Sequence, residues 1–343
     1  MPRVVLAPDK FRGTADARQV TSAMADAAVG LGWDMTALPM SDGGEGLLDA
    51  CAEVCPTEVV TRVTGPDGSR VDAAWRFGDG TAVVESARAS GLSLAGGARR
   101  NDPVAATSRG TGELLVAAAR RVGPGGTVVV GLGGSATTDG GRGALEAVEA
   151  AGGLGGARLV GACDVAATFV EAAAVFGPQK GAGPDLVVVL TERLEALADR
   201  YLDHYGIDVR VLPRAGAAGG LGGALAVLGG TLASGYELVR DLVGLDRSLG
   251  GADRVVTGEG ALDATSFRGK VVGGVVGDAR PAGLATLVVV GRCTAEGLAR
   301  ARDAGCTVVS LVDRFGHRRA QAETGSCIAE VTADWLGPAG TLA

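Results

Sequence analysis

The sequence predicts an α/β protein of two domains. Three observations carry the prediction. Short apolar runs recur along the chain, each followed by a glycine-rich turn and a helical pattern, as βαβ units require. Between residues 58 and 86 that rhythm gives way to three closely spaced strands, EVVTRVTG, RVDAAWRF and TAVVES, with a GPDG turn between the first two. From residue 286 the βαβα pattern returns, and because such units share a sheet the tail is expected to rejoin the N-terminal one. The 343 residues, 47% of them hydrophobic, suffice for two cores. The 58 glycines sit between apolar runs, so they read as turn and site chemistry, not as low complexity.

Taken in order, RVVLA (3–7) is a strand that enters PDKFRGT, and a helix follows over 15–30 with Thr14 or Asp16 as its cap. Asp9 and Lys10 thus stand at a strand's carboxyl end, the edge where open α/β sheets bind ligands. A second strand, 36–40, ends in SDGGEG, which places Asp42 and Glu45 at the same kind of edge before a helix over 47–53. After the antiparallel stretch, TSRGTGELL opens a helix, with Arg109 before its Gly-Thr-Gly turn. TVVVG (127–131) then runs into GLGGSATTDGG and an alanine-rich helix. Strand, glycine turn and helix N-terminus together suit an anion, and Asp139 beside them suits a bridging metal or a proton to be removed.

Further on, strand 158–162 ends at Cys163–Asp164 and is followed by FGPQKGA, which contains Lys180. The 3.6-residue spacing of Val187, Leu190, Leu194, Leu197 and Tyr201 predicts a helix over 184–205. GAAGGLGGALAVL is another glycine-rich helix entry, and strand 254–257 leads into TGEGALDATSFRGK, with Glu259, Asp263 and Lys270. Strand 286–290, helix 295–304, strand 307–311 and helix 319–336 complete the chain.

Composition excludes several functions. A net charge of −7 without any Lys/Arg run argues against nucleic acid, and 3% aromatics leave no stacking platform. Six cysteines without CxxC spacing and only two histidines argue against a Cys/His zinc site. No signal peptide or long apolar run is present, so a cytoplasmic chain with no membrane partner is expected. No P-loop GxxxxGK[ST], no GxGxxG after the first strand and no GxSxG elbow occur. What remains is a recurrence of acids (Asp9, Asp42, Asp139, Asp164, Glu259) and cations (Lys10, Arg109, Lys180, Lys270) in strand-end loops. That mixture suits an anionic substrate and a metal-bound polyphosphate.

The motifs APDKFRGT, PMSDGGEG, TSRGTGELL, GLGGSATTDGG, ACDV, FGPQKGA, GAAGGLGGAL and VVTGEGALDATSFRGK, in this order, resemble those of the bacterial class I glycerate kinases over nearly the whole chain. The resemblance implies ATP- and Mg2+-dependent phosphorylation of D-glycerate, to 2-phosphoglycerate in the better-known members. It also implies a flavodoxin-like domain built from both chain ends (1–64 and 284–343), a larger inserted α/β domain (65–283) and a cleft between them. The chain departs from the family pattern at Lys10 and Arg292, where Ser is usual, at Thr138 for Asn, and at AATF (166–169) for T-N-P-L. On this footing Asp42, Asp139 and Asp164 are the expected metal ligands and proton acceptor, with Lys180 also catalytic. Gly133, Gly134, Ser135, Thr137, Glu259 and Lys270 are expected on the nucleotide, and Asp9, Lys10, Glu45 and Arg109 on the substrate. A kinase of another small hydroxy acid, or a non-catalytic ligand-binding relative, would use the same loops.

Overall fold

The computed structural model describes residues 1–338. Its strands in chain order are β1 (Arg3–Leu6), β2 (Asp34–Ala37), β3 (Thr57–Thr64), β4 (Arg70–Gly78), β5 (Thr81–Glu85) and β6 (Thr127–Gly131). They continue with β7 (Arg158–Cys163), β8 (Thr231–Ser234), β9 (Arg254–Leu262), β10 (Ala285–Cys293) and β11 (Thr307–Ser310). The chain divides into two compact units: Met1–Asp42 with Tyr236–Ala343, and Gly43–Gly235.

The first unit holds an all-parallel sheet in the order β11-β10-β9-β1-β2. Parallel strands are covered on both faces, which is why they read as unbroken apolar runs. The alternation survives inside β10: Leu287 and Val289 join the core formed with Val20, Met24 and Ile328, whereas Val288 and Val290 join Val272, Val276 and Ala301 on the other face. The helix Ala17–Gly30 begins at Asp16, whose side chain accepts from Gln19 N while the Gln19 side chain accepts from Asp16 N, a reciprocal cap. The helix expected over 319–336 is two, His317–Ala322 and Thr324–Leu336, separated by Glu323 at φ −127°, ψ 39°. Helix Val271–Ala279, absent from the sequence reading, is too rich in valine and glycine to show a one-sided pattern.

The second unit holds a six-stranded mixed sheet in the order β3-β4-β5-β6-β7-β8, antiparallel up to β5 and parallel beyond. The helix Pro184–Tyr205 lies where the spacing placed it, with Leu190, Leu194, Leu197 and Tyr201 buried against Phe169. The compact units divide the chain at 42/43 and 235/236, a division that follows strand pairing. β3 and β4 pair residue for residue from Thr57↔Phe77 to Thr64↔Arg70, so a cut at 64 would divide a hairpin. β9 lies between β1 and β10, which places it with the chain ends. Among the described residues no helix is long and apolar enough to cross a membrane.

Candidate active site

The carboxyl ends of β1, β9 and β10 open on one pocket of about 510 Å3 within the first unit. Asp9, Lys10, Asp42, Glu259 and Lys270 line it, five of the residues singled out from the sequence, together with Arg12, Asp263 and Arg292. Asp9 is buried just after β1; its Oδ1 accepts from Lys10 N at 2.7 Å and lies 3.6 Å from Lys10 Nζ. Burial pushes its carboxyl up to about 6, Asp42 adds to the rise, and Lys10 opposes it.

Glu259 lies within β9, which extends five residues past the expected end at 257 and pairs Glu259 with Val290. The glycines on either side explain how a strand so crowded can continue. A Cβ at Gly258 would stand 2.2 Å from Val289 O, and one at Gly260 would stand 3.1 Å from Arg12 N. Burial raises the Glu259 carboxyl to about 7; a hydrogen bond with Ser266 and the charge of Lys270 oppose the rise, while Asp9 and Asp263 reinforce it. Its Oε1 is buried without a hydrogen-bond partner. Asp263 caps the short 3-10 helix Ala264–Phe267, accepting from Thr265 N at 2.7 Å and Thr265 Oγ1 at 2.6 Å, contacts that hold its carboxyl below the usual range. The Lys270, Arg12 and Arg292 side chains make no ion pair or hydrogen bond among the described residues. Arg12 and Ser266 were missed by sequence reasoning; the adjoining PDK and GEG motifs drew the attention.

The GLGGSATTDGG loop belongs to the second unit and forms a cluster of its own. Asp139 is 3% exposed, and both its oxygens are occupied. Oδ2 accepts from Ser108 N (2.9 Å), Ser108 Oγ (2.7 Å) and Gly143 N (3.3 Å), and Oδ1 accepts from Gly141 N (3.1 Å). It therefore ties together the first turns of helices Arg109–Val122 and Arg142–Ala150. Among the described residues no group of three His, Cys, Asp or Glu is placed to hold a metal ion.

Lys180, also 3% exposed, donates from Nζ to Thr137 O at 2.6 Å and reaches Ser135 Oγ at 3.5 Å. Burial lowers its ammonium to about 8, against the pull of Asp139. The Ser135 and Thr137 hydroxyls lie 3.1 Å apart and both turn to Ala218 O. At Gly133 a Cβ would meet Gly44 Cα at 2.7 Å, so the missing side chain admits the chain's own backbone, while Gly134 sits at φ +65°.

Three further expected residues belong to the second unit. Arg109 is half-exposed and paired with Glu113 one helical turn on, Nε to Oε1 at 3.4 Å. Glu45 and Asp164 are exposed. Beside the turn that follows Glu45 the structure adds Glu85, buried at the end of β5. Its Oε1 accepts from Gly46 N (2.9 Å) and Leu48 N (3.1 Å), and its Oε2 pairs with Arg88, which fixes the turn after SDGG. Its sequence signal was an acid ending an apolar strand, the same signal as at Glu259.

The description "glycerate kinase family" fits residues 4–152 and 149–334 of this chain. Glycerate 2-kinase of Escherichia coli (strain K12) is 37% identical over 318 residues, covering 81% of this chain and 82% of that one. Glycerate kinase of Bacillus subtilis (strain 168) is 36% identical over 314 residues, covering 80% of each. A crystal structure assigned to glycerate kinase 2 of Salmonella typhimurium LT2 superposes with a TM-score of 0.81 at 32% identity, covering 97% of both chains. With the strand-end pocket, the shared fold and these identities in hand, the chain belongs to the glycerate kinase family.

Proposed function

We propose that the enzyme transfers the γ-phosphoryl group of ATP to a hydroxyl of D-glycerate and releases 2-phosphoglycerate. The E. coli relative's name, glycerate 2-kinase, supports the acceptor and the position. Within the molecule, the observation that carries the reading is the unpaired Lys270 ammonium in a pocket that also holds the raised carboxyls of Asp9 and Glu259. Phosphoryl transfer needs positioning and charge stabilisation more than covalent help, and unpaired cations beside proton-accepting carboxylates supply both.

Mg2+ commonly keeps several waters and rides on substrate phosphates, so in this reading it enters with the nucleotide substrate. In this reading Lys270 and Arg292 face phosphoryl oxygens, while Lys10 and Arg12 orient the acid's carboxylate. Lys180, held by Thr137 O, supports the second unit's loop. Six free thiols fit a reducing compartment, the cytoplasm. Lys10 and Arg292, two departures from the family pattern, both line the pocket; that observation favours, as a second reading, a different small hydroxy acid as acceptor.

A coupled ADP-release assay with D-glycerate, ATP and Mg2+ tests the proposal, with phosphorus NMR for the product. Glycerate-dependent ADP release is expected, and Lys270→Met is expected to lower kcat/KM by roughly 10²-fold or more. Activity only on another hydroxy acid would select the second reading; silence across a panel of hydroxy acids would overturn both.

A further inference from the structure

We infer that Glu259 accepts the proton of the substrate hydroxyl, and that Ser266 is the positioning residue that aims its free oxygen. The inference rests on the kinase reading above. It begins with the backbone. Glu259 stands in a strand paired with β10, between two glycines against which Val289 O and the Phe11–Arg12 backbone pack, so its Cα has little freedom. A catalytic group on a rigid strand is held more closely than one on a loop.

The side chain is then set by a relay of hydrogen bonds. Ser266 is 1% exposed and its Oγ accepts from Asp263 N at 3.0 Å. That leaves the hydroxyl proton for the Glu259 carboxylate, whose proton affinity Ser266 lowers. Oε1 of that carboxylate is buried with no partner. Neighbouring acids lack that feature. Asp9 Oδ1 is tied to Lys10, and Asp263 Oδ1 to Thr265. An orphaned acceptor in a ligand pocket is an acceptor waiting for a donor, and a hydroxyl is one. Its proton affinity, raised to about 7 by burial, suits a base at neutral pH.

The step balances as follows. The substrate O–H bond breaks and its proton passes to Glu259 Oε1. The oxygen's electron pair forms the new bond to the γ-phosphorus. The bond from that phosphorus to the β,γ-bridging oxygen breaks, and its electron pair leaves with ADP. Glu259 returns the proton to water after product release.

The charged groups around Glu259 are Asp9, Lys10 and Arg12 after β1, Asp42 after β2, Asp263 and Lys270 flanking the 3-10 turn, and Arg292 on β10. His317 lines the same pocket, so any pH profile is read against Glu259→Gln. Glu259→Gln removes a charge that burial disfavours, so it is expected to melt no lower than the parent.

The test compares the parent, Glu259→Gln, Glu259→Asp and Ser266→Ala by kcat against pH, with thermal shift by ATP–Mg2+ as the measure of nucleotide binding. Expected are a loss of kcat of about 10²-fold or more in Glu259→Gln with the nucleotide shift retained, loss of the acidic limb, and a limb preserved in Glu259→Asp. In Ser266→Ala the carboxyl loses the bond that lowers its proton affinity, so the limb moves to higher pH. A Glu259→Gln enzyme within threefold of an active parent overturns the inference alone. An unmoved limb in Ser266→Ala removes the positioning role. A parent inactive on every hydroxy acid overturns the kinase reading instead.

Discussion

Asp139 and Glu259 show how far two carboxylates in glycine loops can differ. Asp139 accepts from four donors, whereas Glu259 keeps one oxygen bare. The difference is one of local donors. Backbone N–H groups at two helix starts converge on Asp139, whereas a strand has already paired its own around Glu259. Replacing Asp139 with Asn turns one acceptor into a donor facing N–H groups. This is expected to cost on the order of 2–4 kcal/mol, because a buried charge-assisted network is broken. Urea unfolding of Asp139→Asn measures it; a midpoint equal to the parent's would show that the four contacts do not hold the two helices.

At the scale of elements, the helix Ala217–Val227 contains the least expected feature. Ala218 (φ 52°), Gly219 (φ 71°) and Gly220 (φ 93°) are left-handed in succession, so the chain turns before the regular helix begins. A Cβ at Gly219 would stand 1.8 Å from Thr137 O and 3.0 Å from Lys180 Nζ. Gly219→Ala is therefore expected to cost roughly 3–5 kcal/mol, from overlap and left-handed strain together. Ala218→Gly, at the same kind of backbone, is expected to gain about 1 kcal/mol. Thermal melts of the pair decide it, and equal melting temperatures would remove the strain argument.

The same contrast marks what a sequence reader could see. Thr127–Gly131 and Pro184–Tyr205 were legible in full because apolar spacing is a property of neighbours in the chain. The strand-end acids and lysines of the first unit were legible because the βα edge is a topological rule. The closure of Asp139 by Ser108 was not, since its donor lies 31 residues away. Neither was the continuation of β9 to Leu262, because Gly-Glu-Gly looks like a turn until the packing against Val289 is known. Arg109 misled for the opposite reason: a cation in a motif can simply have a local partner, here Glu113.

For the whole molecule, the two units are built differently. Gly43–Gly235 is one continuous segment with its own sheet and cores, whereas the other unit is assembled from both ends of the chain. A fragment of residues 43–235 is thus expected to fold alone and to unfold in a single cooperative urea transition followed by circular dichroism. A fragment without that transition would mean that the second unit's cores do not suffice.

The placement of β1 also has a consequence in time. Its sheet neighbours are β2, made almost at once, and β9, which begins at Arg254. A ribosome adding about 5–20 residues per second reaches that strand roughly 10–40 s after β2 has emerged. Throughout that interval the apolar strand RVVL has one edge unpaired, and the intervening segment can complete its own sheet first. Nascent chains of this protein are therefore expected to carry that open edge at their oldest end until one of their youngest strands arrives to cover it.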